Sequence, residues 1–312
     1  MISGGPDKVR ATHGRVSLVR LAFGDSMKPT RLAMLILSLV VLGLPRMATA
    51  QNNPASPSGD DPDRDINLSQ PDFTLVSLPT TLRVPKFRSA FRVTHRFTRP
   101  LGDGDFGDLA GDLFGIDSGA AIGLEYRFGL MRGLQVGIHR TNDRTIELFT
   151  HYNVLQQGTK GPVGLDGIAS IEGTNNIGLS GPDDTHSYTP VLGISVSREL
   201  GKYGAVYVEP MWVNNSNPLP GELADDNDTF MAGIGVRLRI RPSVYIVGEY
   251  TPRTGYKPGV NQGSFALEKR LGGHVFQLNF SNGFGTTMGQ VARGGTSNDD
   301  WYMGFNISRK FY

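Results

Sequence analysis

The stretch FMAGIGVRLRIR, residues 230–241, decides the fold of this chain. Alternate residues are apolar, and the residues between them are Met, Gly and Arg. Strict alternation places the two sets on opposite faces of a β-strand. The apolar set is Phe230, Ala232, Ile234, Val236, Leu238 and Ile240, and the other set ends in Arg237, Arg239 and Arg241. One strand therefore carries an apolar face and an arginine face.

The same two-residue period continues from residue 86 to the end of the chain, with Gly, Asn, Asp and Pro clusters between the segments. No helical period extends beyond a few turns, so the pattern predicts an all-β chain. The predicted strands are 86–98, 118–128, 132–140, 144–155, 162–171, 189–199, 203–213, 229–240, 243–251, 263–270, 273–280 and 299–311.

The connections between these twelve segments alternate in length. Every even-numbered connection is short, and the odd-numbered ones are long except at residues 141–143. Outer-membrane barrels have short periplasmic turns and longer extracellular loops. The sequence therefore predicts an antiparallel up-and-down transmembrane β-barrel of about 12 strands over residues 79–312, closed by the C-terminal strand.

Hairpin registers can be predicted from turns at residues 129–131, 141–143, 201 and 272–273. The expected pairs are Leu124–Val136, Ile138–Ile146, Val196–Val206 and Leu267–Leu278. This parity predicts that the lipid-facing positions include Ile122, Leu124, Val136, Ile138, Ile194, Val208, Ile234, Val236, Leu278 and Phe305. A secreted soluble β-protein is the alternative, but its polar face should be rich in Lys, Glu and Thr, whereas these faces are rich in Gly with few charges.

The N-terminal region has the pattern of a secretory signal peptide. Lys28 and Arg31 precede an apolar run at 32–44, which Pro45 and the small-residue site Ala48-Thr49-Ala50 follow. Crossing a bilayer as a helix takes about 20 apolar residues, so cleavage after Ala50 is favoured over an anchor. Met27 opens this region and is a candidate start codon. We expect export to the outer membrane of a Gram-negative-type bacterium.

Removing residues 1–50 changes the charge balance. These residues contain seven of the 31 Lys and Arg and two of the 29 Asp and Glu, leaving 24 basic against 27 acidic groups. The mature chain thus lacks the basic charge that nucleic-acid binding uses, and we expect no nucleic-acid partner. Residues 51–78 begin with a polar, Pro-rich stretch and are predicted to be a disordered periplasmic tether.

Six short motifs make residues 79–312 similar to a bacterial family described as a membrane-bound β-barrel domain of unknown function. The motifs are HRF (95–97), LFGID (113–117), GLEY (123–126), VGIHR (136–140), YNVLQQ (152–157) and GFNISR (304–309). The resemblance implies a barrel fold and a membrane location. It implies no catalytic residue, because the family carries no established activity.

The last strand alternates Trp301, Met303, Phe305 and Ile307, is interrupted by Arg309 and ends in Phe311-Tyr312. It is similar to the C-terminal signal that outer-membrane assembly machinery reads. We therefore expect that machinery and the lipid bilayer of the outer membrane as partners.

Catalytic and metal sites are not predicted. The chain has no Cys, which excludes thiolate chemistry. His139 and His151 lie too far apart in the predicted hairpin to share a metal with each other, and no strand Ser has a His placed opposite it. We expect no cofactor and no enzyme activity. An outer-membrane barrel enzyme of the lipase or protease type is the alternative.

The inward faces carry the remaining functional signal. The predicted lumen-lining residues are Glu125, Gln135, Glu147, His151, Asp166, Glu209, Arg237, Arg239, Glu249, Glu268 and Arg270. Acids on the earlier strands and arginines on the later ones predict a transverse field of the kind that orients polar solutes. Two interpretations stay open, a passive channel for small polar solutes and a structural barrel with a salt-bridged plug. The loop at 106–115 is predicted to form a short helix that constricts the mouth or caps the rim.

Overall fold

The structure, a computed structural model, describes residues 64–159, 161–174, 188–217, 228–255, 257 and 259–312. The predicted signal peptide and the start of the predicted tether lie outside the described residues.

Alternating sequence becomes strand throughout the described part of the chain, which forms thirteen strands in one sheet. The strands are β1 (Ser89–Pro100), β2 (Ala120–Met131), β3 (Leu134–Thr141), β4 (Thr145–Leu155), β5 (Gly164–Thr174), β6 (Tyr188–Glu199), β7 (Gly204–Val213), β8 (Thr229–Arg241), β9 (Val244–Thr251), β10 (Arg253–Thr254), β11 (Gln262–Leu271), β12 (His274–Ser281) and β13 (Tyr302–Phe311). Twelve of them form the barrel wall, and the two-residue β10 adds a short pairing to β8. The predicted twelve-stranded antiparallel barrel is confirmed.

The barrel closes between its first and last strands, as the sequence predicts. Val93 pairs with Ile307, and the β1–β13 ladder extends from Ser89↔Phe311 to Pro100↔Tyr302, with a bulge after Arg96. Ser89 and Phe311 both lie at the end of the barrel that carries the turns at 132–133, 200–203, 242–243 and 272–273. We call it the short-turn end and the opposite one the long-loop end.

Three of the four predicted hairpin registers are wrong. The predicted pair Leu267–Leu278 is confirmed. The observed partners elsewhere are Arg140 for Leu124, Leu148 for Ile138 and Val208 for Val196. β2 continues through residues 129–131, where we expected a turn, and a bulge lies there. All three registers differ from the predicted ones by an even number of residues, so each side chain keeps its predicted face.

Within the described residues, two short α-helices lie in the long-loop connections, α1 (Phe106–Gly111) and α2 (Met288–Arg293). No helix in the described ranges is long and apolar enough to span a bilayer. α1 forms where a short helix was predicted, and none of its residues is buried. The loop that contains it folds over the outer surface of β1, where the carbon that a side chain would add at Gly115 would lie 3.3 Å from Phe97 Cβ.

Residues 69–78, which the sequence assigns to a disordered tether, instead lie buried with the barrel core. Phe73, Leu75, Val76 and Leu78 are all buried, and three of them belong to the main apolar cluster. Burying four large apolar side chains offsets the entropy of ordering this segment. The polar composition around residues 51–70 therefore does not extend to this short apolar run.

Candidate functional site

The barrel interior contains a segment of the same chain, residues 69–85, which we call the plug segment. Every one of its residues except Arg83 is buried. It folds back on itself, because Leu75 N donates to Leu78 O (2.7 Å) and Thr80 N donates to Phe73 O (2.8 Å). The plug segment is thus a hairpin whose tip is residues 75–78.

One side of the plug segment packs against an apolar part of the lumen wall. Leu75, Val76 and Leu78 share a cluster with inward residues of β5, β6, β7, β8, β9 and β11, namely Ile168, Val191, Ala205, Tyr207, Met211, Val213, Met231, Val247 and Ala266. Glycines make room for it. A Cβ at Gly235 would overlap Leu75 Cδ1, and one at Gly233 would lie 2.8 Å from Leu78 Cδ1. The inward glycines of β8 therefore leave the space that Leu75 and Leu78 of the plug segment occupy.

The hairpin tip binds a wall carboxylate through its main chain. The Glu249 carboxylate accepts hydrogen bonds from the backbone amides of Val76 (3.0 Å), Ser77 (3.0 Å) and Leu78 (3.1 Å). The Ser77 hydroxyl donates to Gly285 O (3.0 Å) in the β12–β13 loop. The tip therefore reaches toward the long-loop end.

Main-chain carbonyls at and beside the tip accept hydrogen bonds from wall residues on β1, β8, β12 and β13. Val76 O accepts from the Arg92 guanidinium and from Asn306 Nδ2 (3.0 Å). Leu75 O accepts from Gln277 Nε2 (2.9 Å), and Thr74 O accepts from Arg237 (2.6 Å). The wall therefore recognises the tip largely through its peptide groups.

A second carboxylate, that of Glu199, binds the start of the plug segment at the short-turn end. It accepts from Asn67 Nδ2 (3.0 Å), Ser69 Oγ (2.8 Å) and Gln70 Nε2 (2.6 Å). On the returning strand of the hairpin, the Thr81 and Ser197 hydroxyls lie 2.5 Å apart. The plug segment thus enters from the short-turn end.

The helix α2 fills the lumen from the other end. Its residues Met288, Val291 and Ala292 are buried in the same apolar cluster as Leu75. The Glu147 carboxylate accepts from Met288 N (3.2 Å), and the Glu172 carboxylate accepts from Arg293 (2.6 Å) and the Thr287 hydroxyl. The plug segment and α2 therefore meet inside the barrel.

The structure places the predicted lumen-lining residues on the inner face, where they are either buried or half-buried. Nine are buried: Glu125, Gln135, Glu147, His151, Asp166, Glu209, Arg237, Glu249 and Glu268. Arg239 and Arg270 are half-buried near the short-turn end. Arg239 donates to Pro242 O in the β8–β9 turn (3.0 Å).

The sequence predicted an acidic half and a basic half of the lumen wall, but the charges do not divide in this way. Glu125 pairs with Arg127 (2.6 Å) and Arg92 (3.4 Å), and Arg237 pairs with Glu268 (2.9 Å). Glu125 and Glu268 therefore pair with arginines on their own or nearby strands, which weakens any transverse field.

Sequence reasoning missed the wall residues that bind the plug. Arg92, Arg96 and Asn306 were not predicted, and neither was the role of Glu249. A usable signal existed in β9, where Tyr245 and Val247 are apolar on the face that also carries Glu249. Apolar residues on a lumen face need an apolar partner inside the barrel.

In the described ranges, the histidines and serines considered above have other contacts than one another. His95 faces outward and stacks on Phe305 (4.8 Å between ring centroids), whereas His139 and His151 are buried inside. Ser170 donates to Glu147 (2.8 Å), and Ser195 donates to Glu209 (2.9 Å). Among the residues that the structure describes, no cluster of three or more candidate ligands could bind a metal.

A cleft opens at each end of the filled lumen. The one at the short-turn end measures about 90 Å³ and is lined by Gln70, Arg83 and Glu199. The one at the long-loop end measures about 250 Å³ and is lined by Asp143, Phe284 and Gln290. The plug segment and α2 lie between these two vestibules.

Asp143, in the turn between β3 and β4, links this turn to α2 by accepting from Gln290 Nε2 (3.0 Å). Partial burial alone raises the pKa of its carboxyl, but hydrogen bonds from Thr141 and Thr145 outweigh that effect and lower it. The carboxylate is therefore ionised at neutral pH.

Residues 72–311 match a family described as a membrane-bound beta barrel domain. The chain belongs to this family. The matched region begins inside the plug segment, so the family domain includes the hairpin as well as the wall. No curated protein matches the chain.

Several solved structures are similar to this chain at low sequence identity. The NanC porin is 8% identical with a TM-score of 0.48, covering 71% of this chain and 100% of that chain. The KdgM porin in complex with disordered oligogalacturonate is 8% identical with a TM-score of 0.44, covering 72% and 99%. Outer membrane phospholipase A from Escherichia coli is 11% identical with a TM-score of 0.39, covering 72% and 90%.

Proposed function

We propose that the protein is a channel for small polar solutes in the outer membrane and that its plug segment closes the channel. The observation that carries this proposal is the attachment of the plug. It contacts the wall through hydrogen bonds and apolar packing, and the chain has no Cys to cross-link it. A segment attached in this way can leave a polar lumen without breaking a covalent bond.

The proposal accounts for the two vestibules and for the polar wall behind the plug. Displacing residues 69–85 would expose Arg92, Glu125, Gln277 and Asn306, which are groups that hydrogen-bond polar solutes. Arg239 lies half-buried near the short-turn end and contributes to ion preference there. Arg237, by contrast, acts mainly on the plug through Thr74 O.

Conductance of the full mature chain in planar bilayers tests the proposal. The double variant Thr81→Cys with Ser197→Cys can be locked and unlocked in place, because the two hydroxyls lie 2.5 Å apart and a disulfide needs about 2.0 Å between sulfurs. We expect silence when it is oxidised and discrete steps after reduction. The unmodified chain should not respond to the reductant.

Glu249→Gln is an independent test, since it weakens the hydrogen bonds to the tip amides without introducing a cross-link. It should raise the frequency of opening, and adding Arg239→Glu should shift the ion preference toward cations. Steady conductance of the oxidised lock variant would overturn the proposal. Silence of both the reduced lock variant and Glu249→Gln would also overturn it, in favour of a structural barrel. The fully buried Arg237–Glu268 pair is the observation that favours that second candidate.

We further propose that the barrel has no enzyme activity. The supporting observation is that Ser170 and Ser195 donate to carboxylates and not to histidines. Release of fatty acid from phospholipid vesicles, or of peptide from casein, by the refolded chain would contradict this proposal.

Location and processing are part of the same proposal. We propose that residues 1–50 direct export and are removed, that residues 51–63 form a periplasmic tether, and that the C-terminal strand is read by the assembly machinery. The support is the signal-peptide pattern at 28–50 and the terminal aromatic pair Phe311-Tyr312. Mass spectrometry of the chain from outer membranes should give Gln51 as its first residue. An uncleaved chain in the inner membrane would contradict this proposal.

A further inference from the structure

The β1–β2 loop, residues 101–119, exposes a cluster of large apolar side chains. The exposed fractions are 73% for Phe106, 55% for Leu113 and 51% for Ile116, and Phe114 is also exposed. The Phe106 and Phe114 rings lie edge to face with 6.2 Å between their centroids. A contiguous exposed apolar surface of this kind marks a contact with another apolar phase.

The loop lies on the outer side of the wall and not over the lumen. A Cβ at Gly115 would lie 3.1 Å from Arg99 Cβ and 3.3 Å from Phe97 Cβ. Phe97 and Arg99 share the outward parity of β1 with Val93 and His95, which pair with lipid-facing Leu124 and Ile122. The apolar cluster is therefore beside the lipid-facing surface, at its long-loop rim.

A row of rings connects the loop to that surface. Under Gly115, the Phe97 ring lies 4.7 Å from the His95 ring, which stacks at 4.8 Å on lipid-facing Phe305. The rings of Phe305, His95 and Phe97 thus form a continuous row from the lipid-facing surface to the loop. Lipid covers the apolar belt of the barrel, so this continuity indicates that lipid also covers the apolar cluster of the loop.

The loop's own hydrogen bonds fix its shape. Asp105 and Asp108 form a capping box on α1, Asp112 Oδ1 accepts from Gly115 N (3.1 Å), and the Arg99–Asp112 ion pair measures 2.7 Å. Leu113 and Phe114 have φ angles of 52° and 60°, in a region unfavourable for bulky residues. The loop therefore keeps a strained backbone that exposes these two apolar side chains.

We infer that residues 106–116 form an interfacial anchor that inserts into the acyl chains of the lipid leaflet at the long-loop end. Aromatic and aliphatic side chains at the depth of the headgroup boundary are what such anchors use. The anchor touches only one side of the barrel, beside the β1–β13 seam.

A tryptophan at position 106 tests this inference. The full mature chain carries Trp212→Phe and Trp301→Phe as background, with Phe106→Trp added, and is refolded into phosphatidylcholine vesicles. We expect blue-shifted emission that is lost when the acyl chains carry bromine, together with protection from acrylamide. Asn298→Trp, on an exposed polar loop at the same end, is the matched control and should show the opposite pattern.

Emission from Phe106→Trp that resembles the control, quenched by acrylamide and insensitive to brominated lipid, would overturn the inference and leave the cluster for a protein partner. Phe114→Trp in the same background guards against a local effect of one substitution and should behave like Phe106→Trp. Strand content by circular dichroism shows that each variant is folded before its emission is interpreted.

Discussion

The outer and inner faces of the barrel wall meet different partners. Outward residues such as Leu278 and Val136 contact lipid, a fluid that adapts to any apolar shape. Inward residues such as Gly235, Tyr207 and Glu249 contact the plug segment, whose shape and hydrogen-bonding groups are fixed. The outer face therefore needs only apolar character, whereas the inner face needs complementarity to one segment of the same chain.

Truncating a plug residue should have the largest effect. Leu75→Ala leaves a cavity between the plug and Gly235, and we expect the plug to lose about 2 to 5 kcal/mol of docking free energy. Hydrogen exchange of the Val76, Ser77 and Leu78 amides measures this loss. Leu278→Ala is the matched control, because acyl chains refill the space outside. Equal acceleration by both variants would remove the distinction between the faces.

A charge on the outer face should have a comparable or slightly smaller effect. Val136→Arg should destabilise the inserted barrel by about 2 to 4 kcal/mol if the position is near the midplane. Guanidinium unfolding from vesicles measures the change, with Val136→Leu as the control. If the arginine variant unfolds at the same denaturant concentration as the leucine variant, the outward register of β3 is wrong.

Neutralising the wall carboxylate that binds the tip should lower the docking free energy of the plug less than the Leu75→Ala cavity does. Glu249→Gln keeps a neutral oxygen as acceptor for the three amides and leaves no cavity, so we expect a loss of about 1 to 2 kcal/mol, the difference between a charged and a neutral acceptor. Faster exchange confined to the tip amides is the expected result. Ile246→Val, outward on the same strand, should leave them unchanged, and the idea fails if Glu249→Gln does too.

The smallest effect should come from pH at the long-loop end. The lowered pKa of Asp143 means that its contribution is present above about pH 4, the pKa of an unfolded Asp, and is lost as the pH falls through the folded value. Exchange at α2 should rise on acidification in the parent and show less pH dependence in Asp143→Asn. An unchanged pH profile in that variant would mean that the Asp143–Gln290 contact does not couple the turn to α2.

The sequence predicted the outer face better than the inner one for the same physical reason. The apolar alternation of residues 230–241 reports burial against lipid, which depends on local pattern alone. The plug segment has no such period, because one hairpin contacts both the apolar part of the lumen wall and its polar residues. Leu75 and Leu78 therefore resembled isolated apolar residues in a polar tether.

The candidate site was predicted only in part. Glu249 and Arg237 were expected inside the barrel, but their partners are backbone groups of the plug segment, which carry no residue-specific signal. The register errors arose at the turns: a bulge at residues 129–131 shifts the β2–β3 pairing, and the β3–β4 and β6–β7 hairpins are each centred one residue later than predicted.

Cross-linking in intact outer membranes tests the central claim, that residues 69–85 occupy the lumen. Thr81→Cys combined with Ser197→Cys should form a disulfide on mild oxidation, since the two hydroxyls lie 2.5 Å apart. Thr81→Cys combined with Val196→Cys places the second thiol one residue away on the lipid-facing side and should not react. Cross-linking of the inner pair alone is the predicted result. Failure of the inner pair in a folded barrel, or equal yields from both pairs, would contradict a plug in the lumen.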